Sequence, residues 1–126
     1  MKRQKKNPLY KSFRYAFQGI LSGFKKERNM KIHCAAMLLV IVAGIILKIS
    51  VSEWCICLVL FGLILALELV NTAIEAVVDM VTEEYRPLAK LAKDTAAGAV
   101  LIAAIMAAGA GILIFLPKLL RLLGML

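Results

Sequence analysis

The sequence predicts an all-α integral membrane fold: one amphipathic helix in the membrane interface, followed by three transmembrane helices. Two observations carry that expectation. Hydrophobic residues make up 62% of the 126, and the mean hydropathy is +0.85, more apolar than a small water-soluble core can use. The excess is also concentrated in three long runs, and a bilayer core is crossed by about 20 helical residues. The length suits a single domain, residues 1–126.

The first element lies within residues 1–30. "NPLYKSFRYAFQGILSGFKKE" opens with Asn7 as N-cap and Pro8 as first helical residue. Leu9, Phe13, Ala16, Phe17, Ile20, Leu21 and Phe24 then recur at helical spacing and form one apolar stripe. Lys11, Arg14, Gln18 and Lys25 fall mostly elsewhere, so a cationic amphipathic helix is expected to lie on the bilayer surface. No cleavable signal segment is expected, because this polar, basic stretch lacks a short apolar core with a small-residue cleavage site.

The first span is placed at 32–50. Its apolar run, Ile32–Leu47, is short, so the helix is expected to continue past Lys48, whose aliphatic stem can reach the interface. The second span, 54–80, begins with "WCICLVLFGLILAL" and then acquires acids. A loop at 81–94 follows, broken at Pro87, with a short helix after it. The third span, 95–116, carries no charge from Thr95 to Leu116. Its "AAGAV" and "AAGAG" stretches allow close helix approach, which places this span at the centre of a bundle.

Charge gives the orientation. Of 16 Lys and Arg, ten precede Ile32, and Arg86, Lys90 and Lys93 sit in the 81–94 loop. The positive-inside rule puts the N-terminus and that loop in the cytoplasm, and the 48–53 turn and the C-terminus outside. A net charge of +8 on such a chain reads as attraction to anionic lipid headgroups. Nucleic acid is excluded as a partner, because no nucleic-acid module or patterned basic–aromatic surface accompanies the charge. Cys34, Cys55 and Cys57 all lie in apolar spans with no zinc-ligand spacing and read as packing residues. His33, the single histidine, reads as a hydrogen-bonding residue at the membrane boundary.

The chemistry is concentrated in "ELVNTAIEAVVD", Glu68–Asp79. At about 100° per residue, Glu68, Asn71, Thr72, Glu75 and Asp79 fall within roughly 100° of one another on the helix. Leu69, Val70, Ala73, Ile74, Val77 and Val78 cover the remainder. Glu68 lies about 21 Å along the helix from Trp54, so it cannot be excused as a helix end already in water. Acids at that depth mark an ion, proton or substrate path. Carboxylates with an amide and no Cys or His cluster suit a hard cation, Mg²⁺ before Zn²⁺. Glu27, the only acid before Glu53, joins the set by the same chemistry, although alone it reads as a solvated surface acid. Lys93 and Asp94 stand at the start of the third span, where a lysine and free backbone N–H groups suit phosphate oxygens, or where a lysine simply anchors to lipid. No P-loop or kinase glycine loop is present.

These residues coincide with a family. "ELVNTAIEAVVD", with "KLAKDTAAGAV" beyond the loop, closely resembles the signature of the prokaryotic diacylglycerol kinases, small three-helix membrane enzymes. "SFRYAFQGI" and "ERNMKIH" resemble that family's interfacial helix and the start of its first span. The resemblance covers roughly Ser12 to Leu116. It implies an ATP- and Mg²⁺-dependent lipid kinase in a bacterial cell membrane, a homotrimer with composite sites near the cytoplasmic surface. It implies Glu68 as the base for the lipid hydroxyl, and Glu27 and Glu75 as the holders of metal–ATP. Asn71 and Asp79 would support that site, and Lys93 and Asp94 would contact phosphates or nucleotide. Tyr15, Glu84, Tyr85 and Arg86 match positions that approach the nucleotide. "SFRYAFQGI" and "ERNMKIH" also resemble the Gram-positive branch, whose members phosphorylate undecaprenol rather than diacylglycerol. Met30 and Lys31 depart from the usual aromatic and Arg, which bears on lipid contacts.

Two readings of other classes compete: a proton or cation pathway lined by Glu68, Glu75 and Asp79, and a structural adaptor. Against the pathway, the acids cluster toward one end of the helix, and Trp54–Leu67 offers almost no polar residue toward the other.

Overall fold

The computed structural model describes residues 8–126, which form four helices: α1 (Leu9–Lys26), α2 (Arg28–Ile46), α3 (Val51–Val81) and α4 (Pro87–Leu122). The last three are each long and apolar enough to cross a membrane. Asn7 lies outside the described residues, and Pro8 itself occupies the N-cap position instead of the first helical one.

α1 leaves its apolar stripe open, with Leu9, Phe13, Phe17 and Leu21 all exposed. It meets the rest of the chain at its last turns, against α2 and α3. Gly23 makes that crossing close: a Cβ added there would stand 2.6 Å from Leu69 Cδ2. A single extended residue, Glu27 (φ −93°, ψ 120°), then ends α1 and caps α2. Its N–H donates to the Gly23 carbonyl at 3.0 Å. Met30, one turn into α2, is fully buried beneath this joint. The departure at Met30 therefore concerns packing of the joint, not lipid contact.

The expected continuation of the first span past Lys48 does not form. α2 stops at Ile46 and takes its length at the other end, starting at Arg28. Lys48 adopts a left-handed conformation (φ 51°). Ile49 N–H bonds the Gly44 carbonyl at 3.1 Å and Lys48 N–H the Ile45 carbonyl at 3.3 Å, a Schellman termination. Ser50 and Glu53 then start α3 with a reciprocal capping box, Ser50 N–H to Glu53 Oε2 at 2.7 Å and Glu53 N–H to Ser50 Oγ at 3.2 Å. At the same end Lys118 Nζ lies 3.1 Å from Glu53 Oε1, tying α4 to the start of α3.

α3 has 31 residues, about 46 Å, against a hydrocarbon thickness of about 30 Å. It packs along α4 and also meets α1 and α2, so α3 is the central helix of the chain. This corrects the expectation for α4, whose Gly98, Gly109 and Gly111 all face open space. α4 presents Ala96, Val100 and Ala103 to the α3 seam, and it is there that its small residues let the two helices close. The buried positions of α3, Cys57, Ile64, Glu68 and Asn71, recur at spacings of seven, four and three and trace one face. The loop is shorter than expected: only Thr82–Arg86 link α3 to α4. Residues 87–94 form no separate helix; they are the first turns of α4, with Pro87 at its start, where proline is tolerated. Of the cysteines, Cys57 packs with Ile49 and Ile114, whereas Cys55 is exposed.

Gly44 is the least forgiving position in this frame, because an added Cβ would lie 2.7 and 2.9 Å from the Trp54 ring and 3.1 Å from Ile49. Gly44→Ala is expected to destabilise the fold by about 1–3 kcal/mol. Gly23→Ala, which meets only the end of a flexible Leu69 side chain, costs less. Thermal unfolding of the two variants in detergent checks the order.

Candidate active site

The seam of α3 that is apolar at Cys57 and Ile64 turns polar at Glu68. Glu68 is 1% exposed and Asn71 4%. Among the described residues, neither Glu68 carboxylate oxygen nor Asn71 Oδ1 has a partner in hydrogen-bond geometry, although the Asn29 side chain of α2 approaches Glu68. Buried polar atoms are seldom left so, because an unmade bond costs about 1–3 kcal/mol. Three orphaned acceptors within one helical turn describe a site built to receive donors or a cation.

The local structure holds these groups in place. Thr72 spends its hydroxyl on the Glu68 backbone carbonyl at 2.9 Å, and so takes no part in the open site. Asn71 Nδ2 donates to Glu75 Oε1 at 3.3 Å, which orients both side chains and leaves Asn71 Oδ1 free. One face of Glu68 opens on a groove of about 230 Å³, shared with Asn29 and His33 of α2 and with Ala97, Val100, Leu101 and Ala104 of α4. Glu27 and Glu75 lie within electrostatic reach of Glu68, and His33 lines the same groove. The Glu27 joint and the Glu75 turn therefore belong to the same electrostatic environment, three carboxylates of one sign.

Farther along α3, Lys93 Nζ donates to Asp79 Oδ1 at 2.6 Å and bridges α4 to α3. Lys90 pairs with Asp94 one turn along α4. Asp79, Glu84, Tyr85, Arg86, Lys93 and Asp94 line one groove of about 370 Å³ at the loop. Arg86 and Glu84 also approach to 3.6 Å, an exposed pair of little energetic weight. The sequence-predicted residues thus gather into two sets along α3, one at buried Glu68 and Asn71 with half-buried Glu75, and an open one at the loop. Tyr15, exposed on α1, lines neither groove.

Asn29, which the sequence does not single out, and His33, read there as a boundary residue, line the same groove as Glu68. The two stand four residues apart on α2, hence on one helical face, and that spacing was the available signal.

A family model for prokaryotic diacylglycerol kinase matches residues 14–115. The chain belongs to this family. An undecaprenol kinase from Bacillus subtilis (strain 168) is 46% identical over 117 residues, 93% of this chain and 95% of that protein. A diacylglycerol kinase from Synechocystis is 44% identical over 116 residues, 91% of this chain and 66% of that protein. A diacylglycerol kinase from Escherichia coli (strain K12) is 32% identical over 99 residues, 79% of this chain and 81% of that protein. As a member of the prokaryotic diacylglycerol kinase family with three membrane-length helices, the chain is a membrane lipid kinase.

Glu68 is buried while both of its oxygens go unsatisfied, so it weakens the fold. Glu68→Leu, similar in size and without polar atoms, is expected to raise stability by about 1–3 kcal/mol. Thermal unfolding in detergent without added substrate is the measurement; a fall in melting temperature would show that Glu68 has partners in the assembled protein.

Proposed function

We propose that the chain transfers the γ-phosphoryl group of ATP to the primary hydroxyl of undecaprenol, with Glu68 as general base. The observation that carries this reading is the Glu68 carboxylate, buried and unpartnered, facing a groove shared by α2, α3 and α4. The likeness to the Bacillus undecaprenol kinase over nearly the whole of both chains supports the choice of lipid. The diacylglycerol kinases among the relatives support diacylglycerol as the second acceptor.

Glu68 takes the hydroxyl proton as the lipid oxygen forms its bond to the γ-phosphorus, and the bond from that phosphorus to the β-phosphate bridging oxygen breaks, releasing ADP. The residues fit magnesium. Oxygen donors prevail around Glu68, and Asn71 Oδ1 is an orphaned buried carbonyl among acids of one sign. Among the described residues no three metal-ligating side chains form a closed set, as suits a metal held by one or two carboxylates together with phosphates. Glu27 and Glu75 would hold it, and when bound it neutralises phosphate charge. Asn71 fixes Glu75 through its amide. Lys93, on Asp79, is placed to exchange that partner for a phosphate oxygen, and Asp94 is held by Lys90 at the same groove. Glu84, Tyr85 and Arg86 form the loop wall of the nucleotide region, and Tyr15 joins it from α1, in this reading from a neighbouring copy of a homotrimer. The N-terminus and the 82–86 loop face the cytoplasm, where ATP is, and α1 lies in the interface with its exposed apolar stripe in lipid.

Glu68→Gln is expected to lower lipid phosphorylation by about 10²-fold or more with little change in ATP affinity. In the unaltered protein, undecaprenol is expected to outcompete diacylglycerol in one mixed micelle with labelled ATP. Near-normal turnover of Glu68→Gln removes the base role, and diacylglycerol winning reassigns the acceptor.

Separately, Glu27→Ala and Glu75→Ala are each expected to raise the Mg²⁺ concentration for half-maximal rate by about tenfold or more. Magnesium titrations that superimpose on the unaltered protein in both variants would deny the shared metal.

A further inference from the structure

A second cavity adjoins the Glu68 groove. It has a volume of about 280 Å³ and runs between α2, α3 and α4 from His33 to Phe115. Its walls include Met37 and Val40 of α2, Cys57 and Phe61 of α3, and Gly111 and Ile114 of α4. His33 is the only residue with a polar side chain other than a thiol in that lining. His33 and Ala104 belong to both cavities, so the polar groove at Glu68 continues into the apolar one. From Glu68 to Cys57 the track follows three turns of α3, about 16 Å.

We propose that these cavities are one acceptor site, in which His33 fixes the hydroxyl end of the lipid and a single apolar chain runs down the α2–α3–α4 groove to Phe115. The inference rests on the lipid-kinase reading above and deepens it. Continuity with the Glu68 groove selects the occupant. A chain lying in the apolar cavity reaches the orphaned carboxylate through the shared His33 and Ala104 walls. The two ends also divide by chemistry, as a long-chain alcohol requires. At the polar end, Glu68 can only accept hydrogen bonds when ionised, so the hydroxyl hydrogen goes to it. The hydroxyl oxygen then needs a donor, and an imidazole N–H at the junction supplies one. Beyond His33 the lining offers no donor for an ester carbonyl. A lipid with one hydroxyl and a plain hydrocarbon chain leaves nothing unsatisfied there, whereas each diacylglycerol ester carried into the track would lose its hydrogen bonds to water.

The site therefore takes a linear monohydric lipid alcohol, and its length dependence is set in the groove. Gly111 offers a clean probe, since a side chain added there meets nothing within 4 Å and projects into the track. Ala108, exposed on the same wall, is a second.

The test uses the full-length protein in mixed micelles with ATP, comparing kcat/KM for farnesol, a short prenol, and undecaprenol. Gly111→Leu and Ala108→Leu are each expected to lower the undecaprenol-to-farnesol ratio by about tenfold. His33→Leu is expected to lower kcat/KM for both alcohols by about tenfold or more without changing that ratio, and His33→Gln, which keeps a donor, to restore most of it. An unchanged ratio in both groove variants overturns the inference, as does full activity of His33→Leu. Groove variants that alter cross-linked oligomer size while keeping the ratio also overturn it, since the groove then seats a second copy. Failure of the unaltered protein to phosphorylate any prenol, with diacylglycerol turned over normally, removes the undecaprenol reading instead and is distinct from each of these results.

Discussion

The architecture is organised around the desolvation of one carboxylate. Glu68 lies on the buried face of α3 with both oxygens unsatisfied. A group in that condition opposes folding. It persists because α3 meets all three other helices and carries a buried apolar face, Cys57 and Ile64, on one side of it. Glu68 is therefore placed by the most constrained element of the chain, and the grouping around it follows. Asn71 and Glu75 extend the same helical face by one and two turns. Asn29 and His33 reach it because α2 starts immediately after the Glu27 joint.

That joint turns chain geometry into site geometry. Gly23 lets α1 close on Leu69, the residue next to Glu68, and Glu27 follows four residues later with its backbone N–H committed to the Gly23 carbonyl. The Glu27 side chain is thus held near the α3 acids by a close backbone crossing, not by an ion pair of its own. At the opposite end, Gly44 against Trp54 and the Glu53–Lys118 pair fix where α2, α3 and α4 begin and end. A helix clamped at one end and crossed at the other has little freedom to rotate, so the face bearing Glu68 stays turned to the groove.

Much of this was legible in the sequence, for reasons tied to particular residues. An uncharged run such as Thr95–Leu116 has few fates besides a membrane-length helix, and polar residues such as Glu68, Asn71, Glu75 and Asp79, three or four apart after an apolar run, declare one shared face. Termini were less legible. Lys48 carries no local signal that it will adopt a left-handed conformation; the Schellman turn that demands it depends on hydrogen bonds to Gly44 and Ile45. The run of small residues in α4 signalled close approach correctly but not at which positions, because Ala96, Val100 and Ala103 are buried while an added side-chain carbon at Gly98, Gly109 or Gly111 meets nothing within 4 Å. His33 looked like a boundary residue because it stands at the start of the first apolar run. It lines the same groove as Glu68, 35 positions away, and only packing brings them together.

The arrangement also suits an acidic stripe within a membrane helix to group transfer and not to conduction. A conducting path needs polar stations on both sides of the barrier. Beyond Glu68, the buried face of α3 continues through Ile64 and Cys57, and the adjoining cavity is lined by Leu60, Phe61 and Ile114. The next acid, Glu53, is held by Lys118 and by its own capping box at the far end of the helix. Between the two lies a stretch of about 20 Å that a long hydrocarbon tail can occupy and a hydrated ion cannot. The polar groove at Glu68 adjoins the apolar cavity through His33 and Ala104, and the charged groove at Asp79 and Lys93 lies farther along α3. In the proposed reading, an apolar cavity behind Glu68 and a charged groove in front of it would bring a lipid hydroxyl and an anionic phosphate donor together from opposite sides.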